Sequence, residues 1–187
     1  MNVYDFDNTI YRGDSTVGFI LYCWQCRPKS LLNLPRTVVL GLLYALHLLP
    51  KRVFKENVYH MFSYIPDMEE VVCSYAESRL DHIKPWYIQQ QEPDDLIISA
   101  SPEFLVRAFA SRIGISHVIA SRVDLHSGRY SGINCHGEEK VIQFHQHYPD
   151  AVINRFYSDS RSDLPLAKLA DEAFLVHGNQ RKEWEIK

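Results

Sequence analysis

Two aspartates separated by one residue, Asp5-Phe6-Asp7, stand near the start of the chain and run straight into Asn8-Thr9. Carboxylates this close can divide nucleophilic and general acid–base work between them, if their environments differ. Taken alone, the same residues also read as a solvated Asp/Asn turn. Three further groups lie far along the chain. Ser99 ends the apolar run Ile97-Ile98 and precedes Ala100-Ser101-Pro102. A hydroxyl beside the free N–H groups of a helix start can hold an anion, or can simply cap the helix. Lys140 follows Gly137 on a helical stretch, where it can reach a phosphate or lie in solvent. Asp159 and Asp163 follow another apolar run; such carboxylates suit Mg²⁺, which takes oxygen ligands, or serve as helix caps. Singly each is weak. In order, they describe a site that handles phosphate with a divalent cation, and all four fall at or just beyond predicted strand ends.

The elements that must position them follow from periodicity. Asn2 to Phe6 reads as a short buried strand ending at the carboxylates. Tyr11 to Gln91 is helical in pattern, with helices over Thr16–Gln25, Lys51–Phe62 and Asp67–Ile83 and prolines 28, 35, 50, 66 and 85 as punctuation. From Pro93 strands and helices alternate. Strands are predicted at Leu96–Ser99, His117–Ser121 and Ile153–Ser158, with a last one at Ala173–Val176. Helices are predicted at Pro102–Arg112, Glu138–His147 and Leu164–Ala170, and the two glycines within Arg122–Cys135 suggest a β-hairpin. This order predicts an α/β fold with a parallel, Rossmann-like sheet and right-handed crossovers. The core would comprise residues 1–11 and 92–187, with an all-helical cap, residues 12–91, inserted after the first strand.

These residues resemble the motifs of the haloacid dehalogenase superfamily, and more narrowly its phosphoserine-phosphatase-like subfamily. Asp5-Phe6-Asp7-Asn8-Thr9 matches the first motif, Ser99 the second, Lys140 the third, and Asp159 with Asp163 the fourth. The run Gly128-Arg129-Tyr130-Ser131-Gly132 through Lys140 is similar to the subfamily's hairpin and lead-in to the third motif. The resemblance implies a Mg²⁺-dependent phosphomonoester hydrolase. Asp5 would be the nucleophile that becomes an aspartyl-phosphate, and Asp7 the general acid–base. Asn8, Ser99, Ala100 and Lys140 would bind phosphate; Asp5, Asp7 (through its carbonyl) and Asp159 would bind metal. Thr9 and Asp163 would support these groups. Asp14 occupies the acidic position that helps recognise phosphoserine, but Ala100-Ser101 stands where the subfamily has glycines. Arg27, Arg36 and Arg52 are cap candidates for a substrate carboxylate, none at a matching spacing.

Ser30 to Pro50 is the most apolar window. A spanning helix needs about 20 mostly apolar residues, and Pro35 and Arg36 leave only Thr37–Leu49 uninterrupted. That suits a buried cap helix or pocket lid, with a membrane-surface helix over residues 37–49 as the alternative. A related branch, similar to phosphatidylglycerophosphate phosphatases, pairs this core with an apolar cap, so a lipid phosphomonoester stands beside a small metabolite as substrate. Phosphotransfer to a sugar and a catalytically silent binding module are further readings; the presence of both Asp5 and Asp7 argues against the last.

Composition narrows the remaining classes. The chain has 187 residues, 20 Lys plus Arg against 23 Asp plus Glu and a formal charge of −3, so it lacks the basic excess of a nucleic-acid-binding domain. Four cysteines are too few for a disulfide scaffold, and with no signal-peptide pattern a reduced cytoplasmic setting is expected. Cys23-Trp24-Gln25-Cys26 has no second pair to complete a zinc site and reads as packing. His145 and His147 point to different helix faces, and the cap aromatics Tyr22, Trp24, Tyr44, Phe54, Tyr59, Phe62 and Tyr64 read as core. Oligomeric state is left open.

Overall fold

A computed structural model describes residues 1–186. Strands β1 (Asn2–Tyr4), β2 (Leu96–Pro102), β3 (His117–Ser121), β4 (Ile153–Ser158), β5 (Ala170–His177) and β6 (Gln180–Glu183) form one sheet in the order β3-β2-β1-β4-β5-β6. All neighbours are parallel except β6, which pairs antiparallel with β5. This final strand was not anticipated: its Gln-Arg-Lys-Glu sequence is exposed throughout and carries no apolar alternation.

The strands are apolar on both sides because helices cover both faces. Alternate side chains separate cleanly. Val3, Leu96 and Ile98 join Phe144, Phe156 and Leu166 on one face, while Tyr4 and Ile97 join Phe6, Leu105 and Phe109 on the other. Helix α6 (Glu103–Arg112) covers the second face; α7 (Glu138–His147) and the short α8 (Leu164–Ala167) cover the first.

Between β1 and β2 run α1 (Ser15–Cys26), α2 (Leu34–Ala45), α3 (Lys51–Tyr59), α4 (Met68–Ser78) and α5 (Pro85–Gln90), with 3₁₀ turns at Pro28–Asn33, His60–Tyr64 and Leu80–His82. Asp14 caps α1 by accepting from the Val17 N–H at 2.9 Å, and proline in the first turn of α2 and α5 matches the missing donor there. Phe19, Phe62 and Tyr75 from this segment pack in the same cluster as Phe6 and Phe109.

Two expectations need correction and one is met in reduced form. Residues 122–135 turn back through a single antiparallel bridge, Val123 to Tyr130, flanked by Asp124 N–H to Arg129 carbonyl and Ser131 N–H to Arg122 carbonyl bonds at 2.8 and 2.9 Å, a hairpin too short to make two strands. The loop is also pinned to the helical segment. Gly128 (φ +69°) lies so close to the backbone of Tyr59 that a Cβ would overlap it, and the Tyr130 N–H donates to Glu56 at 3.2 Å. The apolar window does not become cap core. No residue of α2 is buried, because the interior beneath is already filled by Phe19, Tyr59 and Phe62 and α2 has only α3 and the preceding turn to lie on. Among the cap aromatics, Tyr59 and Phe62 are buried, whereas Tyr44 and Tyr64 lie at the surface, Tyr44 stacked on Phe54. Cys23 is packed inside as predicted, and His145 and His147 are exposed. No helix among the described residues is long and apolar enough to cross a membrane.

Candidate active site

The chain leaves β1 for β2 on one side and returns as β4 on the other, so the order reverses beside β1. At such a point the carboxyl ends of neighbouring strands open into a crevice. Tyr4 is paired with Tyr157 of β4 and Ile97 of β2, which brings Asp5, Ser99 and Asp159 to one rim. The Asp5 N–H donates to the Tyr157 carbonyl at 2.9 Å, fixing the first carboxylate to the sheet. Beyond it the backbone folds back on itself: Ile10 and Tyr11 donate to the Phe6 carbonyl, and Asn8 takes φ +55°, a conformation Asn tolerates.

The two aspartates meet different surroundings. Asp5 is buried; its Oδ1 accepts from Lys140 Nζ at 2.7 Å and its Oδ2 from Thr9 Oγ1 at 3.4 Å. Asp7 faces the cleft, accepting from the Ser15 N–H at 2.6 Å through Oδ1 and from the Ser101 hydroxyl through Oδ2. Burial raises the carboxyl pKa of Asp7 above the ordinary range, against the pull of the Ser101 and Ser15 hydrogen bonds. Ser99 accepts from the Ser101 N–H at 3.1 Å, which leaves its own proton to donate into the cleft.

Lys140 is the hub. Fully enclosed on α7, it donates to Asp5 and, at 2.7 Å, to Asp163 Oδ2, which also accepts from Ser158 Oγ at 2.7 Å. Burial opposes its charge, but the two carboxylates outweigh that and move its pKa up, so it stays protonated. For Asp5 the balance is reversed: burial, with Asp163 and Asp7 repelling, outweighs Lys140 and moves the carboxyl up. Thr9 links the two ends of the motif set, because its hydroxyl also accepts from the Asp159 N–H at 2.9 Å.

The cleft, about 520 Å³, is thus floored by four carboxylates, Asp5, Asp7, Asp159 and Asp163, around one buried lysine. The Asp159 carboxylate accepts no hydrogen bond from another residue among those described, and burial and Asp163 raise its pKa. An excess of hard oxygens over cations is the donor chemistry that fits Mg²⁺. A second acidic group, Glu92, Asp94 and Asp95, lies at the opposite ends of the strands, where Asp95 is committed to the Asn2 amide and the Glu92 N–H.

The expected motif residues therefore converge: Asp5, Asp7, Asn8, Ser99, Ala100, Lys140, Asp159 and Asp163 all line the cleft, as does Asp14 at its edge, with Thr9 buried beneath. The cap arginines do not. Arg27 pairs with Asp67, Arg52 lies against Glu56 and Tyr130, and Arg36 is exposed on α2. Besides Lys140, the basic side chains facing the cleft are Lys51 and Lys55 of α3 and His136. Lys55 is half-buried without a carboxylate partner, and burial and Lys51 lower its pKa; the same two causes lower that of His136. The i, i+4 spacing of Lys51 and Lys55 was the available signal, since it puts both on one helix face. Lys84 was also missed. It is buried, and its Nζ donates to the Asn8 carbonyl and, at 2.6 Å, to that of Gly178.

Residues 3–168 match the family model described as haloacid dehalogenase-like hydrolase. The chain is 24% identical over 184 residues to protein CicA of Caulobacter vibrioides, covering 90% of this chain and 82% of that one. It is 27% identical over 130 residues to the histidinol-phosphatase of Neisseria meningitidis serogroup C, covering 60% and 59%. The probable phosphoserine phosphatase of Vibrio cholerae superposes with a TM-score of 0.62 at 10% identity, covering 92% of this chain and 55% of that one.

Proposed function

The chain belongs to the haloacid dehalogenase-like hydrolases and is a phosphatase of phosphoserine-phosphatase-like build, and we propose that it hydrolyses a small phosphomonoester through an aspartyl-phosphate on Asp5. The observation that carries this is the pair of unlike carboxylates: Asp5 immobilised by Lys140 on the sheet, and Asp7, two residues on, held by Ser15 and Ser101 with a raised pKa. An Asp5 oxygen attacks phosphorus as the ester P–O bond breaks, and Asp7 gives its proton to the leaving oxygen. Asp7, now ionised, takes a proton from water, whose oxygen attacks phosphorus and releases inorganic phosphate and the free Asp5 carboxylate. Ser99, the Ala100 backbone and Lys140 bind phosphoryl oxygens; Asn8, whose N–H donates to the Gly13 carbonyl at 3.0 Å and whose carbonyl accepts from Lys84, holds the loop around Asp7, while Asp163 and Thr9 hold Lys140, Asp5 and Asp159 in place. Asp5, Asp159 and the Asp7 carbonyl would hold Mg²⁺, which would supply charge neutralisation for the attack of an anionic nucleophile on an anionic ester. The same reading divides the chain into a catalytic core, 1–11 and 92–187, and a substrate-facing cap, 12–91.

Substrate class follows from the upper cleft. Lys51 and Lys55 favour a body with a second anionic group. Val17, Ile20, Trp24, Phe54 and Val58 form an apolar wall beside them, which favours an ester with an apolar portion over phosphoserine and supports the lipid-phosphate reading as the second one. The test is hydrolysis of a generic aryl phosphate with Mg²⁺. Asp5→Asn should abolish turnover while leaving the fold intact by circular dichroism; near-normal Mg²⁺-dependent hydrolysis by that variant would overturn the mechanism.

A further inference from the structure

Helix α2 turns an apolar stripe outward. Val38, Val39, Leu42 and Leu46 recur at three- and four-residue spacing and are exposed by 54, 57, 63 and 67%. Leu32 before the helix and Leu48 after it, at 68 and 69%, extend the stripe at both ends. Soluble surfaces carry single exposed apolar residues without consequence, but a contiguous set of this kind marks a contact surface. The opposite side of the helix is already engaged, with Tyr44 stacked on Phe54 at 5.0 Å between ring centroids.

The charges around the stripe say what it contacts. From Arg27 to Lys55 the sequence contains no Asp or Glu, in a chain whose formal charge is −3. Lys29 and Arg36 are exposed along this stretch and enter no ion pair among the described residues. We infer that the cap docks through α2 on a bilayer surface bearing anionic lipids, with the Leu/Val stripe in the interface and the flanking cations at headgroup level. The helix is Leu34–Ala45, about 18 Å at 1.5 Å per residue, so it lies in the interface and does not cross the roughly 30 Å hydrocarbon core. Thr37 of α2 also lines the catalytic cleft with Trp24 and Phe54, so the helix that carries the docking stripe also borders the apolar wall of the cleft. Docking does not depend on the phosphatase reading; only delivery of an amphiphilic ester from the surface to Asp5 rests on it.

The test is flotation of the full chain with vesicles of phosphatidylglycerol and phosphatidylcholine, or of phosphatidylcholine alone, at low and high salt. Two interfacial cations predict partition to the anionic vesicles roughly 30-fold stronger than to the neutral ones, weakening as salt rises. Leu42→Glu with Leu46→Glu should lower binding at least tenfold, and Lys29→Gln with Arg36→Gln should remove most of the anionic preference. Both double variants should hydrolyse soluble aryl phosphate at the parent rate, since none of the four residues touches the cleft floor. Failure to float with anionic vesicles, binding unchanged in Leu42→Glu/Leu46→Glu, or a concentration-dependent dimer that those substitutions dissociate would overturn the proposal, the last by assigning the stripe to a second copy of the chain. Because the vesicles contain no phosphomonoester, loss of docking and loss of catalysis are read separately.

Discussion

At the scale of single residues, two buried lysines do different work. Lys140 neutralises Asp5 and Asp163, so Lys140→Met would leave two enclosed carboxylates without their cation. Breaking a buried pair from one side costs about 3–5 kcal/mol, and that loss should appear in urea unfolding at pH 8 together with loss of turnover. The deficit should shrink as pH falls and the freed carboxylates protonate. A deficit of under about 1 kcal/mol at pH 8 would contradict the hub role. Lys84 holds two carbonyls, and no carboxylate. Its substitution by Met should therefore lower kcat through the Asn8 loop, with a much weaker dependence of stability on pH than in Lys140→Met. The two lysines were not equally legible. Lys140 follows a recognisable lead-in and falls in a motif order shared with Asp5 and Asp159. Lys84 partners backbone atoms at positions 8 and 178, and a carbonyl has no residue type for a sequence to display.

Elements tell a similar story about what patterning can carry. β3, α7 and β4 appear within the predicted bounds because each shows its period plainly over its whole length. The hairpin expected from Gly128 and Gly132 is cut to a single bridge for a physical reason: Gly128, in its turn, also serves close approach to Tyr59, which ties the segment down there. Gly128→Ala should accordingly destabilise the protein by more than the ~1 kcal/mol of an ordinary strained glycine, since the new methyl overlaps backbone; a change in urea midpoint no larger than that would show the loop can move aside. Helix α3 makes the functional counterpart. Its sequence offered Arg52, but the face presented to the cleft carries Lys51 and Lys55. Lys55→Ala should raise KM about tenfold or more for esters with a second anionic group, as expected for loss of a charged hydrogen bond. It should leave KM for an aryl phosphate with an uncharged body near its parent value. Equal effects on both would place Lys55 in general folding and remove it from substrate recognition.

Across the whole molecule, titration near neutrality is spread over both ends of the sheet, and the two ends can be separated. Catalytic carboxylates sit beyond the carboxyl ends of β1 and β4. At the other end Asp95, fully buried, accepts from the Asn2 amide at 3.1 Å and the Glu92 N–H at 2.9 Å, tying the start of β1 to that of β2. Burial pushes its pKa up to about 6 from an ordinary value of 3.8. A folded state that holds its proton more tightly than the unfolded chain gains stability as pH falls through about 6 and loses it as pH rises. The full effect is at most about 3 kcal/mol at 1.36 kcal/mol per pKa unit. Asp5 and Asp7 are raised too, so their titration has the same sign, and the parent curve alone cannot apportion it. Asp95→Asn does so: the amide keeps an acceptor for the Glu92 N–H but cannot ionise. Urea midpoints from pH 4.5 to 7.5 should fall less steeply with rising pH in this variant, while its kcat profile against pH stays that of the parent. An unchanged stability slope would assign all of the titration to the catalytic end. A shifted kcat profile would mean that the register of β1 on β2 transmits charge at Asp95 to Asp5, making the two ends one electrostatic unit.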